Sequence, residues 1–410
     1  MSVTLLIIAL WFVAFVWLVI VLLTLRGLSR QRPLLATRDL RLTANDAPLV
    51  SILVPARNEQ HRVLEPCIRS ILAQDYGNFD VIAINDRSTD ETGAILERLA
   101  QSDRRLRVIE GEELPPGWLG KPYAMQQALN HARGEWILAT DADMIFEVAA
   151  LRTALDRVLE TGEDALTLIP RFETGSFWER VMIPTWEWVF LMFMIAYRIN
   201  DPKSDGAAAI GGFFLIRRTV LDRAGGYEAL KDEVMEDVRL AERIKRLGAR
   251  LIIDRAPALI RTRMYTNFSE MWECSTKNWF SGVNFSFPLA LACVVSMYLG
   301  AVAPPLIALV SVLATVLGLS TGLGLLIVTA ATSWFLQVLV LAIAGRRSEV
   351  SVIYALTAPL GLALIYAMLF DSGIRITTGR GVTWKGRRIY DRRGVQPPRL
   401  HAAVSSRNKA

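Results

Sequence analysis

Val50-Ser51-Ile52-Leu53-Val54-Pro55-Ala56-Arg57-Asn58-Glu59 runs apolar as far as a proline and then turns polar. A run of that length stopped by Pro55 reads as a buried strand, and the residues after it as a loop at the strand's carboxyl end. The pattern recurs: Val81 to Ile84 ends in Asn85-Asp86-Arg87-Ser88-Thr89-Asp90, and Trp136 to Ala139 ends in Thr140-Asp141-Ala142-Asp143. Between these runs Leu64, Ile68, Ile71 and Leu72 share one helical face, and Ile95, Leu96 and Leu99 share another. Strands separated by helices predict an α/β fold with a mainly parallel, Rossmann-like sheet covered on both faces. Carboxylates that close successive strands then gather along one sheet edge, where nucleotides bind in open α/β folds.

The 410 residues suffice for one large α/β domain plus further segments. Hydrophobic residues make up 52% of the chain and mean hydropathy is +0.32, more than a soluble domain carries. No charged residue occurs from Met1 to Leu25, and Val3 to Leu25 exceeds the ~20 residues a helix needs to cross a hydrocarbon core. With no small-residue cleavage site after it, residues 1–26 are expected to form an anchor rather than a removed signal. Arg26, Arg30, Arg32 and Arg38 begin a basic linker over 27–48 and, by the positive-inside tendency, place the domain at 49–286 in the cytoplasm. The expectation is a multi-pass protein of the cytoplasmic membrane.

A second apolar block, 287–371, is interrupted by Pro304-Pro305, by Ser320-Thr321-Gly322 and by Gly345-Arg346-Arg347-Ser348-Glu349. It reads as two spans before Gly345 and one after, Val350 to Phe370. Three crossings would put the tail, 372–410, on the far side, yet its ten Lys/Arg against one acid, Asp391, argue for the near side. Either Pro359-Leu360-Gly361 marks a re-entrant segment or the stretch before Gly345 is not two full spans. Cys67, Cys274 and Cys293 are widely spaced, show no disulfide or metal pattern, and read as core residues in a reducing compartment. Three histidines leave little room for histidine-based metal chemistry. No nucleic-acid partner is expected.

The acidic groups differ in what they can do. Asp86 follows the second strand, where a carboxylate can accept hydrogen bonds from a base or ribose. Asp90, inside Ser-Thr-Asp-Glu, also looks like a helix cap. Asp141-Ala142-Asp143 ends a strand and offers hard oxygens for a divalent cation that would neutralise a diphosphate, although two acids two apart are common on loops. Glu236-Asp237 opens the helical run Val238, Leu240, Ala241, Ile244 and Leu247, ending at Gly248. Acids there also favour the helix dipole by ~1 kcal/mol or less. Lys121, in Gly117-Trp118-Leu119-Gly120-Lys121-Pro122, is a point charge for a phosphate or, as in most such turns, a solvent-facing lysine.

In this order the four groups resemble the family 2 (GT-A fold) glycosyltransferases, inverting enzymes with nucleotide-sugar donors, over roughly Leu49 to Gly282. The resemblance implies Pro55, Ala56, Arg57, Glu59, Asp86, Ser88, Lys121 and Asp141 on the nucleotide sugar, and Asp143 on Mg2+ or Mn2+. It implies Asp237 as general base with Glu236 beside it, and Gly211-Gly212 beside the acceptor, unless those glycines only permit close packing. The chain departs from the processive polysaccharide synthases, whose Gln-x-x-Arg-Trp is replaced by Ser275-Thr276-Lys277-Asn278-Trp279; Lys277 and Trp279 remain acceptor-side candidates. Gly381-Val382-Thr383-Trp384-Lys385-Gly386-Arg387-Arg388-Ile389-Tyr390 is similar to a segment of membrane-bound members acting on carotenoids, ceramide and hopanoids, and is equally the composition of a membrane-surface anchor.

The apolar stretch near 177–199, with Glu179, Arg180, Pro184 and Glu187, reads as an interfacial amphipathic helix or as one buried against membrane helices. The resulting expectation is inverting transfer of one sugar, from a UDP-sugar in preference, to a hydroxyl of a membrane lipid of hopanoid or carotenoid type. A processive synthase, a sugar nucleotidyltransferase and a non-catalytic scaffold or transporter are the rivals. The nucleotidyltransferase lacks its glycine-rich phosphate loop here, and the scaffold leaves Asp86, Asp143 and Asp237 unexplained.

Overall fold

A computed structural model describes residues 3–29, 33–36, 47–194 and 196–398, side chains at 191–197 excepted. Arg30, Arg32 and Arg38 of the basic linker, and the chain beyond 398, lie outside the described residues. The chain forms two units: an α/β unit (31–173, 194–264, 379–410) and a helical unit (1–30, 174–193, 265–378).

In the α/β unit the strands are β1 (Val50–Ala56), β2 (Phe79–Asn85), β3 (Leu106–Glu110), β4 (Trp136–Ala139), β5 (Met144–Phe146), β6 (Ala165–Ile169), β7 (Arg171–Phe172), β8 (Phe214–Arg217), β9 (Leu251–Arg255) and β10 (Ile260–Thr262). The main sheet has the order β3-β2-β1-β4-β8-β6-β9, and β5-β10-β7 form a smaller one. The four strands from β3 to β4 are parallel, while β8 runs antiparallel to both β4 and β6. That one reversal is what the strand-helix alternation did not reveal, and it matters for the site. An antiparallel β8 starts at the edge where β4 ends, Phe214 lying opposite Ala139, so Gly211-Gly212 arrive beside Asp141-Ala142-Asp143. Thr140 fastens the two together, its hydroxyl donating to Gly212 O at 2.8 Å.

Both faces of the sheet are covered, as near-continuous apolar strands require. Leu64, Cys67, Ile68 and Ile71 of the helix Leu64–Leu72, with Leu96 and Leu99 of Thr92–Ser102, share one buried core cluster with Val50, Ile52 and Val54 of β1, and the helix Gly120–His131 packs on β1 and β2 as well. Each large apolar side chain so buried contributes roughly 1.5–3 kcal/mol. Ala56 pairs with Asn85, so the residues that follow them, Arg57 and Asp86, emerge level with one another.

Among the described residues of the helical unit, four helical stretches are long and apolar enough to cross a membrane: Val3–Ser29, Phe287–Val316, Gly324–Arg347 and Val352–Thr377. The helix Phe177–Met194 packs among them. Glu179, Thr185 and Glu187 are buried with Val181, Met182 and Ile183, Trp188 stacks near Trp17 and donates to Thr24, and Gly361 lies against Thr185. Its polar side chains face protein, which is the packing of a buried helix and not of one lying in the bilayer interface.

The last stretch does not behave like the others. The Tyr298 hydroxyl donates to Ala363 O (3.1 Å) and Gly373 lies against Phe287, so the helix Ala358–Thr377 runs antiparallel to only the first half of Phe287–Val316. Gln337 meets Gly300 at mid-height, and the helix Gly324–Arg347 continues for ten further residues before the chain climbs back through the 3-10 turn Val352–Thr357. By length and apolarity the stretch Val352–Thr377 nonetheless ranks with the other three as able to cross a membrane.

Candidate active site

Every group in the site belongs to the α/β unit and hangs from the carboxyl edge of β1, β2 and β4, from the start of the helix Gly120–His131, from the loop before β8 or from the helix Glu236–Arg246. The loops after β1 and β2 are laced together. Arg57 donates to the carbonyls of Asp86 and Arg87 (both 2.7 Å), Asn58 N–H to Ser88 Oγ (3.1 Å), Glu59 N–H to Thr92 Oγ1 (2.8 Å) and Gln60 N–H to Asp90 Oδ2 (3.1 Å). Asp90 also accepts from Thr92 N–H (3.0 Å), so its carboxylate is spent as a cap and brace, and those bonds hold its pKa below the ordinary value although burial opposes them. Asp86 is buried, with Arg87 Nε at 3.0 Å from Oδ1.

The DxD segment divides its work. Lys121 Nζ bridges Asp141 (2.8 Å) and Glu236 (2.7 Å), and the Gly211 N–H donates to Asp237 Oδ2 at 2.7 Å. Asp237 Oδ1 accepts from Val238 N–H at 2.8 Å, as a carboxylate at a helix start does. A side chain at Gly211 would project into this cluster: its Cβ would stand 3.1 Å from Lys121 Nζ, 3.2 Å from Asp237 and 3.6 Å from Asp141. Gly211 is thus a close-approach glycine at the site itself, whereas a Cβ at Gly212 would strike Met144. Lys121, Gly211, Tyr227, Glu236 and Asp237 line one pocket with Thr140 and Leu240.

Burial, with Glu236 alongside and against the pull of Lys121, pushes Asp237 up to about 6. Burial works to discharge Lys121, but the carboxylates of Asp141, Glu236 and Asp237 outweigh it and hold the ammonium well above its ordinary pKa. Asp143 is pushed up to about 7 by burial and by Asp141, with Arg62 opposing. Asp141 is the common neighbour of both raised acids, so Asp143 and Asp237 belong to one field.

A divalent cation fits this donor set. Asp141 and Asp143 present hard carboxylate oxygens, and the repulsion that raises Asp143 is what a cation would relieve. Among the described residues no group of three or more His, Cys, Asp or Glu stands ready for a metal. Mg2+ and Mn2+ sites on one or two carboxylates plus substrate phosphates look like this.

Several residues were not read from the sequence. Arg62 contacts Asp143 (3.4 Å) and Met264 O (2.8 Å). Lys245 Nζ donates to the carbonyls of Ile199, Asp201, Ser204 and Gly206 at 2.7–3.1 Å, fixing the loop that leads to Gly211. The tail segment was legible as a motif, but it is not a surface anchor: Lys385 and Arg387 turn onto Glu59 and Asp86, and Tyr390 is buried. Pro55 and Ala56 are backbone positions within β1. Lys277 and Trp279 lie in the helical unit, on the helix Phe268–Gly282, and are not among the residues lining the pocket of Asp237. That unit also holds a cavity of about 850 Å³, walled by Val294, Leu299 and Phe370 and ending at Asp371, which takes the Trp272 indole N–H at 2.8 Å and Arg375 at 2.8 Å.

Residues 51–225 match the family described as Glycosyl transferase family 2. The chain is 26% identical over 261 residues to the 4,4'-diaponeurosporenoate glycosyltransferase of Staphylococcus aureus, covering 62% of this chain and 67% of that protein. It is 31% identical over 118 residues to the glycosyltransferase GlyG of Streptococcus pneumoniae, 29% of this chain and 38% of that one. The mannosyltransferase PcManGT of Pyrobaculum calidifontis, solved with GDP-mannose and Mn2+, shares the fold at a TM-score of 0.54 and 18% identity, over 90% of this chain and 97% of that one.

Proposed function

Because the chain is a family 2 glycosyltransferase of the GT-A fold with membrane-spanning helices, we propose that it moves one sugar from a nucleotide-diphosphate donor to a hydroxyl of a membrane lipid, with inversion. The observation that carries this reading is the cluster at the sheet edge in which Lys121 pairs with both Asp141 and Glu236, and the Gly211 N–H holds Asp237 beside them. Asp237 is the general base. Its two oxygens are fixed by the N–H groups of Gly211 and Val238, and a pKa of about 6 leaves it ionised at neutral pH yet basic enough to draw a proton from an attacking hydroxyl. Attack in line on the anomeric carbon inverts it without a covalent enzyme intermediate. Lys121 holds Glu236 and Asp141 in place and adds positive charge beside the donor. Asp143, with Asp141, would hold the Mg2+ or Mn2+, which neutralises the leaving diphosphate when bound.

A UDP-sugar is the preferred donor and a hopanoid- or carotenoid-type lipid the preferred acceptor. The staphylococcal relative's name supports an acceptor of the second type. The apolar cavity that ends in Asp371, Trp272 and Arg375 supports an amphiphile with a greasy body and a polar end. We place the catalytic unit on the cytoplasmic face. Incubating the detergent-purified chain with a panel of nucleotide sugars, Mn2+ or Mg2+ and total lipid extract should yield a glycosylated lipid in the mass spectrum. Free polymer, or no product with any donor, would reject the reading.

A further inference from the structure

The tail returns to the α/β unit as a hairpin, β11 (Val382–Trp384) against β12 (Arg387–Ile389). Lys385 and Gly386 both have positive φ, 45° and 76°, the backbone of a tight two-residue turn. The base of the hairpin is pinned by Tyr390, buried, whose hydroxyl donates to Asp232 O at 2.6 Å. At its tip Lys385 pairs with Glu59 and donates to Arg57 O at 3.1 Å.

Arg387 makes the contact that matters. Its Nη1 lies 2.8 Å from Asp86 Oδ2 and its Nη2 3.3 Å from Asp86 O, while Arg87 takes Oδ1. Both oxygens of the buried carboxylate are therefore engaged. The guanidinium fits only because residue 120 is glycine: a Cβ there would clash with Nη1 and stand 3.1 Å from Asp86 Oδ2. Arg87 and Arg387 thus hold the carboxylate while Arg57 bonds the backbone carbonyls of Asp86 and Arg87, and burial together with the Arg387 charge lowers the pKa of Arg57 against the pull of Asp86 and Asp90. Three guanidiniums against the two carboxylates of Asp86 and Asp90 leave positive charge in excess beside the loop that precedes Lys121. An anion is what such a site lacks, and planar forked donors match phosphate.

We propose that the hairpin is a donor-operated latch: Arg387 holds Asp86 until a nucleoside diphosphate arrives, then cedes Asp86 to the base and takes the diphosphate. This rests on the reading of Asp86 as the base acceptor. Arg387 becomes a donor-binding residue, and bases presented without phosphate are disfavoured because they must displace it and give nothing in return.

The test measures affinities of the full chain in detergent for UDP and GDP and for uridine and guanosine, with wild type, Arg387→Gln and Arg387→Lys. For Arg387→Gln the diphosphate should bind about tenfold weaker and its nucleoside about threefold tighter, two changes of opposite sign that loss of a fixed brace would not give. Arg387→Lys should recover part of the diphosphate affinity and serves where the glutamine variant does not fold. If nucleoside and diphosphate weaken by the same factor, Arg387 is a structural brace and the latch is wrong. If wild type binds none of the four, the nucleotide-donor reading itself fails, a result distinct from an unchanged ratio in a binding-competent protein.

Discussion

Replacing Asp237 by Asn separates a base from a helix cap, because the two roles differ in size. An amide keeps the side-chain volume and one acceptor, for the Gly211 N–H now 2.7 Å from Oδ2, but turns its NH2 toward the Val238 N–H that Oδ1 now accepts. It loses the charge at the helix start, worth about 0.3–1 kcal/mol. That loss is offset, since burial and the neighbouring Glu236 already hold Asp237 up at about 6, so the carboxylate is an uncomfortable one. Stability should then fall by no more than about 1–3 kcal/mol, the cost of one backbone N–H left without its acceptor. Removing the base should lower turnover about 10²–10⁴-fold, or ~3–5 kcal/mol of transition-state stabilisation. The assay combines sugar transfer to lipid, nucleotide affinity and a thermal melt: transfer should collapse while nucleotide affinity stays near wild type and the melting midpoint falls modestly. Wild-type turnover should rise with pH through about 6, because a protonated Asp237 below that value cannot accept a proton. Transfer within tenfold of wild type, or a loss matched by equal loss of nucleotide affinity, would refute the argument.

Lys121→Met removes the cation that pulls Asp237 down, so the acidic limb of residual activity should move to higher pH, with turnover at neutral pH reduced; a limb that stays in place rejects the coupling. Gly211→Ala puts a methyl 3.1 Å from Lys121 Nζ and 3.2 Å from Asp237 Oδ2, and should cost about tenfold or more in turnover, with a thermal melt close to wild type. In a Cys293→Ser background, Glu349→Cys and Arg380→Cys should both react with a membrane-impermeant thiol reagent from the same side of a sealed vesicle; labelling from opposite sides would show that 348–377 crosses fully.

What the sequence by itself determined was local and periodic. The strands β1, β2 and β4 were legible because an apolar run has one comfortable place, a buried strand with its polar end at the sheet edge, although Pro55 did not stop β1, which runs through it to Ala56, and β2 runs on to Asn85. The helix after Glu236-Asp237 was legible from apolar spacing and a terminal glycine, Gly248, at φ 80°. Asp141 and Asp143 next to those ends, and the apolar helices, followed from the same rules.

Tertiary structure alone decided which of these groups share a field. The antiparallel course of β8 brings Gly211 to Asp237, because strand direction depends on pairing partners and leaves no mark in a four-residue run. The return of Lys385 and Arg387 to Glu59 and Asp86, some three hundred residues away in the chain, leaves no mark in the local sequence. A run of arginines, tryptophan and tyrosine is chemically suited to a lipid surface and to a buried carboxylate alike. Only the fold supplied the carboxylate.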